Sequence, residues 1–140
     1  MIYNKGYEIQ KAMTVWFKGK SHPEDCVDFQ TKTTLYEVKS CNLLVKCING
    51  NSNRPFKFRK HKKISTTQLG RFVVKVYNHN DLFKQAKEEE KLAKYIFVIV
   101  VGNQKIWKVV SWNEVDKFVN NKKRTNQIQI KKIFSKELNV

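Results

Sequence analysis

Residues 95–101 read Tyr-Ile-Phe-Val-Ile-Val-Val, an unbroken apolar run rich in β-branched side chains. A strand sends alternate residues to its two faces, so one that is apolar at every position has to be covered on both. Seven residues are far too few for a membrane helix, which needs about 20. The run therefore predicts the central strand of a sheet held between layers, and that places the chain in the α/β class. Periodicity elsewhere supplies the layers. Ile9, Met13 and Trp16 share one face of a predicted helix over residues 6–17. Gly102-Asn103 turns the central strand into a hairpin with residues 104–110. Ser111-Trp112-Asn113-Glu114 is a capping box that opens a short helix through Val119. Ser65-Thr66-Thr67-Gln68 is another, ahead of Leu69, Phe72, Val73, Val76 and Tyr77 at helical spacing. Asn80 or Asp81 caps a further helix reaching about Ala93, and Ile128 and Ile130 alternate with polar neighbours as a last edge strand. The expected fold is a single α/β domain over residues 1–140 with a mixed central sheet flanked by helices.

Charge narrows the function. The chain has 28 Lys and Arg against 12 Asp and Glu, a formal net charge of +16. Such an excess suits a polyanion, most often nucleic acid, although a lysine-rich proteome produces the same total. Distribution separates the two. No acid lies between Val38 and Asn80, yet ten basic residues do, among them Arg54, Lys57, Arg59, Lys60, Lys62, Lys63 and Arg71. Phe56 and Phe58 alternate with the basic residues, as on a strand with one aromatic and one basic face. That pattern fits contact with a phosphate backbone, and it also fits a solvated edge strand whose lysines discourage aggregation. Cys26, Cys41 and Cys47 lack CxxC spacing and the three histidines lack ligand spacing, so neither a disulfide framework nor a zinc site is expected. With no signal peptide or spanning segment, the expected setting is cytoplasmic and soluble, away from membranes.

The acids collect elsewhere. Four of the twelve fall within residues 24–39. This stretch reads as two short strands joined by a polar turn over residues 30–33. On the second strand Glu37 and Lys39 share a face, while Tyr36 and Val38 share the other. If the strands pair, Asp28 comes to that acidic face, giving two carboxylates and an ammonium on one sheet surface. Two hard oxygen ligands with open positions suit Mg²⁺, with Mn²⁺ able to substitute, and leave room for a substrate phosphate. Glu24 and Asp25 are rival ligands. Asp28 is preferred because Val27 and Phe29 flank it as buried strand neighbours would.

Asp28, eight residues and then Glu37-Val38-Lys39 resemble the Asp…(Glu/Asp)-X-Lys core of the PD-(D/E)XK nuclease superfamily. Lys5-Gly6-Tyr7-Glu8 ahead of them is similar to the start of the small archaeal Holliday junction resolvases. The resemblance covers element order and four sparse positions across most of the chain. It implies a restriction-endonuclease-like core and a Mg²⁺-dependent endonuclease acting on branched or duplex DNA in recombination or repair. It also implies a homodimer that nicks four-way junctions symmetrically. Asp28 and Glu37 would bind metal and Lys39 would act on the attacking water, with Glu8 a further ligand and Gln68 a residue close by on the following helix. Two of these have plainer readings: Glu8 stabilises its helix through the dipole, and Gln68 completes its capping box. Other functions remain open. One is a small restriction, repair or homing nuclease on the same core. Another is a basic nucleic-acid-binding protein without catalysis.

Overall fold

A computed structural model describes residues 5–48 and 65–135 of the chain. In chain order its elements are α1 (Lys5–Trp16), β1 (Phe29–Gln30), β2 (Thr34–Asn42), β3 (Leu44–Ile48), β4 (Ser65–Leu69), β5 (Arg71–Lys75), α2 (Val76–Glu88), β6 (Leu92–Val101), β7 (Gln104–Ser111), α3 (Trp112–Asp116), β8 (Thr125–Gln129) and α4 (Ile130–Phe134). The central sheet runs β1-β2-β6-β7, with β3-β4 and β5-β8 as separate two-stranded ribbons. β1 is antiparallel to β2, β2 parallel to β6 and β6 antiparallel to β7, so the sheet is mixed and flanked by helices.

The apolar run forms most of β6, and residues 95–100 are buried on both faces as their composition requires. On one face Ile96, Val98 and Val100 pack with Tyr36 and Phe29 under Ile9 and Met13 of α1. On the other, Tyr95, Phe97 and Ile99 pack with Leu35 under Leu82 and Ala86 of α2, and with Phe72 and Val74 of β5. Gly19 lies directly against the Phe29 ring, where any β-carbon would collide. Among the described residues no helix is long and apolar enough to cross a membrane.

Helix α1 forms as expected, though Trp16 is exposed rather than on its buried face; both hairpins also form, with β1 limited to Phe29–Gln30 and β6 starting at Leu92 rather than Tyr95. The Ser111 cap also forms, its hydroxyl accepting the Glu114 N–H at 3.3 Å. The Ser65–Gln68 capping box does not. Residues 65–75 are two strands, because Phe72 and Val74 point inward while Arg71, Val73 and Lys75 point outward. That period of two prevails over the helical spacing of Leu69, Phe72, Val73 and Val76. The helix begins at Val76, ahead of Asn80, and ends at Glu88, before Ala93. It closes in a Schellman turn: Lys91 N–H donates to Ala86 O at 2.8 Å and Glu90 N–H to Lys87 O at 3.2 Å, with Glu90 at φ 56°. α1 closes in the same way, with Lys18 at φ 54° and Gly19 N–H donating to Thr14 O. Neither end carries the glycine at the left-handed position that a sequence reader looks for. α3 stops at Asp116 rather than Val119, and Ile130 opens α4 instead of extending the last strand. That strand, β8, pairs with β5, whose residues were expected in a helix.

Candidate active site

The register of the first hairpin builds the site. Phe29 pairs with Tyr36, so the preceding residue, Asp28, falls opposite Glu37. Asp28 N–H donates to Tyr36 O at 2.8 Å, and the Asp28 carboxylate accepts the Val38 N–H at 2.6 Å. From α1, Gln10 Nε2 donates to the Asp28 carbonyl at 3.3 Å. Three contacts, two from β2 and one from α1, thus hold Asp28 at the head of β1.

Glu37 is 7% exposed. Burial pushes its carboxyl up to about 10, reinforced by a hydrogen bond to the Asp28 side chain and by the Asp28 charge. Lys39 and the Val38 N–H oppose that rise. Half-buried Lys39 follows two residues along β2, on the same face of the strand. Two carboxyl groups thus share one site, and burial together with the neighbouring charge favours the protonated form of Glu37.

A buried polar chain lies behind the pair. Glu37 is matched across the parallel ladder with Tyr95, and its charge adds to burial in raising the Tyr95 phenol. The Tyr95 hydroxyl meets His79 Nδ1 at 2.8 Å, and His79 Nε2 meets Asp116 at 3.0 Å. A carboxylate only accepts, so Nε2 carries the ring proton and Nδ1 accepts the tyrosine O–H. The His79 ring is fully buried and stacks on Trp112 at 4.2 Å and 8°, while Trp112 Nε1 donates to His79 O. Burial lowers the His79 pKa against the pull of Asp116, so the ring is neutral. In the sequence the three histidines show no ligand spacing. The usable sign was that His79 stands three residues before Leu82 and seven before Ala86, on the buried stripe of α2.

The other residues singled out in the sequence are dispersed. Glu8 is exposed on α1, the helix that covers the face opposite Glu37. Among the described residues no three His, Cys, Asp or Glu side chains gather as a ligand set, so the pair stands as two carboxylates. Gln68 is on β4 opposite Val45, neither on a helix nor across from Glu37 or Lys39. Arg71 is exposed on β5 opposite Gln129. Arg54, Lys57, Arg59, Lys60, Lys62 and Lys63 lie outside the described residues. Cys26 and Cys41 are free thiols, and burial holds both above the ordinary range, Cys41 at about 11. Raised thiols are poor nucleophiles at neutral pH.

Two clefts of opposite sign flank the acid pair. One, of about 420 Å³, lies between the 24–26 loop and α2 and is lined by Glu24, Asp25, Asp81 and Glu88 with a single lysine, Lys84. The other, of about 530 Å³, opens at the β1–β2 turn and carries four lysines and no acid.

Comparison with family models, with curated proteins and with solved structures gives no match. What defines the class here is the molecule itself: an α/β domain with a mixed sheet and a buried acid pair at its first hairpin.

Proposed function

We propose that the chain is a Mg²⁺-dependent endodeoxyribonuclease of the PD-(D/E)XK type, acting as a homodimer on branched DNA in the manner of a junction resolvase. The observation that carries the reading is the convergence of Asp28 and Glu37, with the Glu37 carboxyl raised to about 10 and Lys39 on the same face. A buried carboxyl pair of this kind has hard oxygen donors and lacks the charge to keep both ionised, which fits a divalent cation. Asp28 and Glu37 would hold Mg²⁺, and the remaining positions would fall to water and a substrate phosphate, since two carboxylates leave an incomplete shell. When bound, the ion supplies charge neutralisation and polarises a phosphate oxygen.

The chain's own groups do the rest. Asp28, fixed through Val38 N–H and through its backbone, orients the carboxylate pair toward the strand being cut. Lys39 positions the attacking water and stabilises negative charge as it develops on the phosphate. The basic excess supplies attraction to the DNA backbone.

Cleavage of end-labelled linear duplex, flapped DNA and a four-way junction, each with Mg²⁺ and a Glu37→Gln control, tests the proposal. Paired symmetric nicks in the junction, absent from the control, are the expected result. Cuts at one sequence in linear duplex would move the substrate to the restriction or homing class. Tight, Mg²⁺-independent binding with no cut in any substrate would make the acid pair a structural feature of a nucleic-acid-binding domain.

A further inference from the structure

The lysine cleft at the β1–β2 turn is formed where the end of α1, the 18–20 segment and the turn itself meet. Lys20 and Gln30 form a two-way backbone bridge, each N–H donating to the other's carbonyl at 2.8 Å, which fixes the cleft wall. At the back, Lys91 donates to Gln30 Oε1 at 2.8 Å and lies 3.7 Å from Glu89, so its ammonium is already held. Lys18, Lys20 and Lys32 at the rim are exposed, and none has an ion-pair partner among the described residues. Phe17, half-buried against Phe29 and Tyr36, forms an aromatic wall. Unpaired ammonium groups around a concave wall form a site for a multiply charged anion.

Position identifies the anion. Gln30 is two strand residues from Asp28, roughly 7 Å, which is about two nucleotides of axial rise along one DNA strand. The acidic cleft on the other flank repels the same ligand. We propose that the lysine cleft receives the backbone phosphates of the strand being cut, adjoining the scissile phosphate, so that the nucleic acid runs from the acid pair toward the β1–β2 turn and away from the acidic cleft. The placement rests on the nuclease reading for the identity of the scissile phosphate; the anion-binding chemistry does not.

The test compares two triple variants of equal charge change. The cleft variant is Lys18→Asn, Lys20→Gln, Lys32→Gln, with Asn chosen at position 18 because it tolerates the left-handed backbone there. The remote variant is Lys105→Gln, Lys122→Gln, Lys123→Gln, on the opposite edge of the sheet and in the loop before β8. Both are checked for unchanged thermal midpoints, then titrated with labelled duplex and four-way junction in Ca²⁺ across a salt series. The expected result is a salt slope shallower by about two in the cleft variant, at roughly 0.9 per phosphate contact, with at least about tenfold weaker binding than the remote variant. Equal behaviour of the two triples would overturn the cleft while leaving Mg²⁺-dependent cleavage by the wild type, and hence the nuclease reading, intact. Cleft-dependent DNA binding without any cleavage by the wild type would keep the cleft as a backbone site and remove the nuclease. Cleft-dependent binding of phosphatidylserine vesicles, with DNA binding equal in the two triples, would assign the lysines to a lipid headgroup and also overturn the proposal.

Discussion

β2 and β6 lie side by side along nine residue pairs, yet the two faces they present differ in kind. Toward α1 they offer Tyr36, Val38, Ile96, Val98 and Val100, closed by Phe29, Ile9 and Met13. Toward α2 the same strands offer Leu35, Tyr95, Phe97 and Ile99, but Glu37 and Lys39 stand among them, with His79 brought down from the helix. The first face is a packing surface in which every group gains by leaving water. The second buries ionisable groups that gain nothing from burial alone and have to satisfy one another. The fold can hold such a face because the polar groups sit within a large apolar cluster of their own, built from Leu35, Phe72, Leu82, Phe97, Ile99 and Phe134. On β2 the charged groups are thus confined to one parity: Glu37 and Lys39 on one face, Tyr36 and Val38 on the other.

The largest expected effect sets function on one face only. Glu37→Gln should lower Mg²⁺-dependent cleavage by about 1,000-fold or more, near 4 kcal/mol of transition-state stabilisation. Val38→Ala, one residue away and pointing to the other face, should leave the rate within about threefold while lowering stability by roughly 1–2 kcal/mol. Single-turnover rates on one substrate measure both. Equal losses in the two variants would mean that the strand as a whole, not its acidic face, supports activity.

Next in size is the packing face. Phe29 is fully buried, stacks on Tyr36 at 4.7 Å and 18°, and has Gly19 against its ring. Phe29→Ala should cost about 3–4 kcal/mol in denaturant unfolding, with no change in how stability varies with pH. A change in that pH dependence would show that the two faces are not separable.

His79 tests the polar face with a smaller effect. His79→Leu keeps the volume and the Trp112 contact but leaves the Tyr95 hydroxyl buried without its acceptor, a loss of about 2 kcal/mol. The pH signature has a definite sign. Burial lowers the folded pKa below the unfolded value near 6.5, so the unfolded chain binds the extra proton and stability falls as pH drops below about 6.5. The leucine variant should lose that component of the acid-side fall. Its persistence in full would assign the effect to other groups.

How much of this division was readable in advance follows from where each residue gets its partners. Asp28, Glu37 and Lys39 were readable because their geometry is set by strand alternation and one short hairpin, both local. The apolar run at 95–101 was readable for the same reason. Residues 65–75 were not: Phe72 and Val74 become strand residues by pairing with Ile128 and Asn126, more than fifty positions away, and helical spacing alone cannot register such a partner. His79 and Asp116 meet across 37 residues, and both belong to helices whose limits depend on that tertiary packing. The lysine cleft draws on residues 17–20, 30–33 and 91, no one of which is unusually basic by itself. The basic tract that was conspicuous in the sequence is a different segment from the one that the described fold gathers around a cavity.

The sharpest test of the acid pair is a stability difference that appears only as pH rises. With the folded Glu37 carboxyl raised to about 10 and its unfolded value near 4.5, the folded chain binds one more proton than the unfolded chain across that interval. Stability contributed below pH 4.5 is therefore lost as pH rises toward 10. Gln is neutral at every pH and its amide N–H can donate to Asp28 in place of the carboxylic O–H, so Glu37→Gln should match the wild type near pH 4.5 and exceed it increasingly above. A higher Tm than the wild type at pH 8, by a margin that widens from pH 5 to pH 8, is expected in the absence of metal. Adding Mg²⁺ should narrow or reverse the difference, because only the wild type gains the linkage term RT ln(1 + [Mg²⁺]/Kd). A variant less stable than the wild type at pH 8 in chelator would mean that the ionised glutamate is stabilised inside the fold, and the argument that this face needs a cation would fall with it.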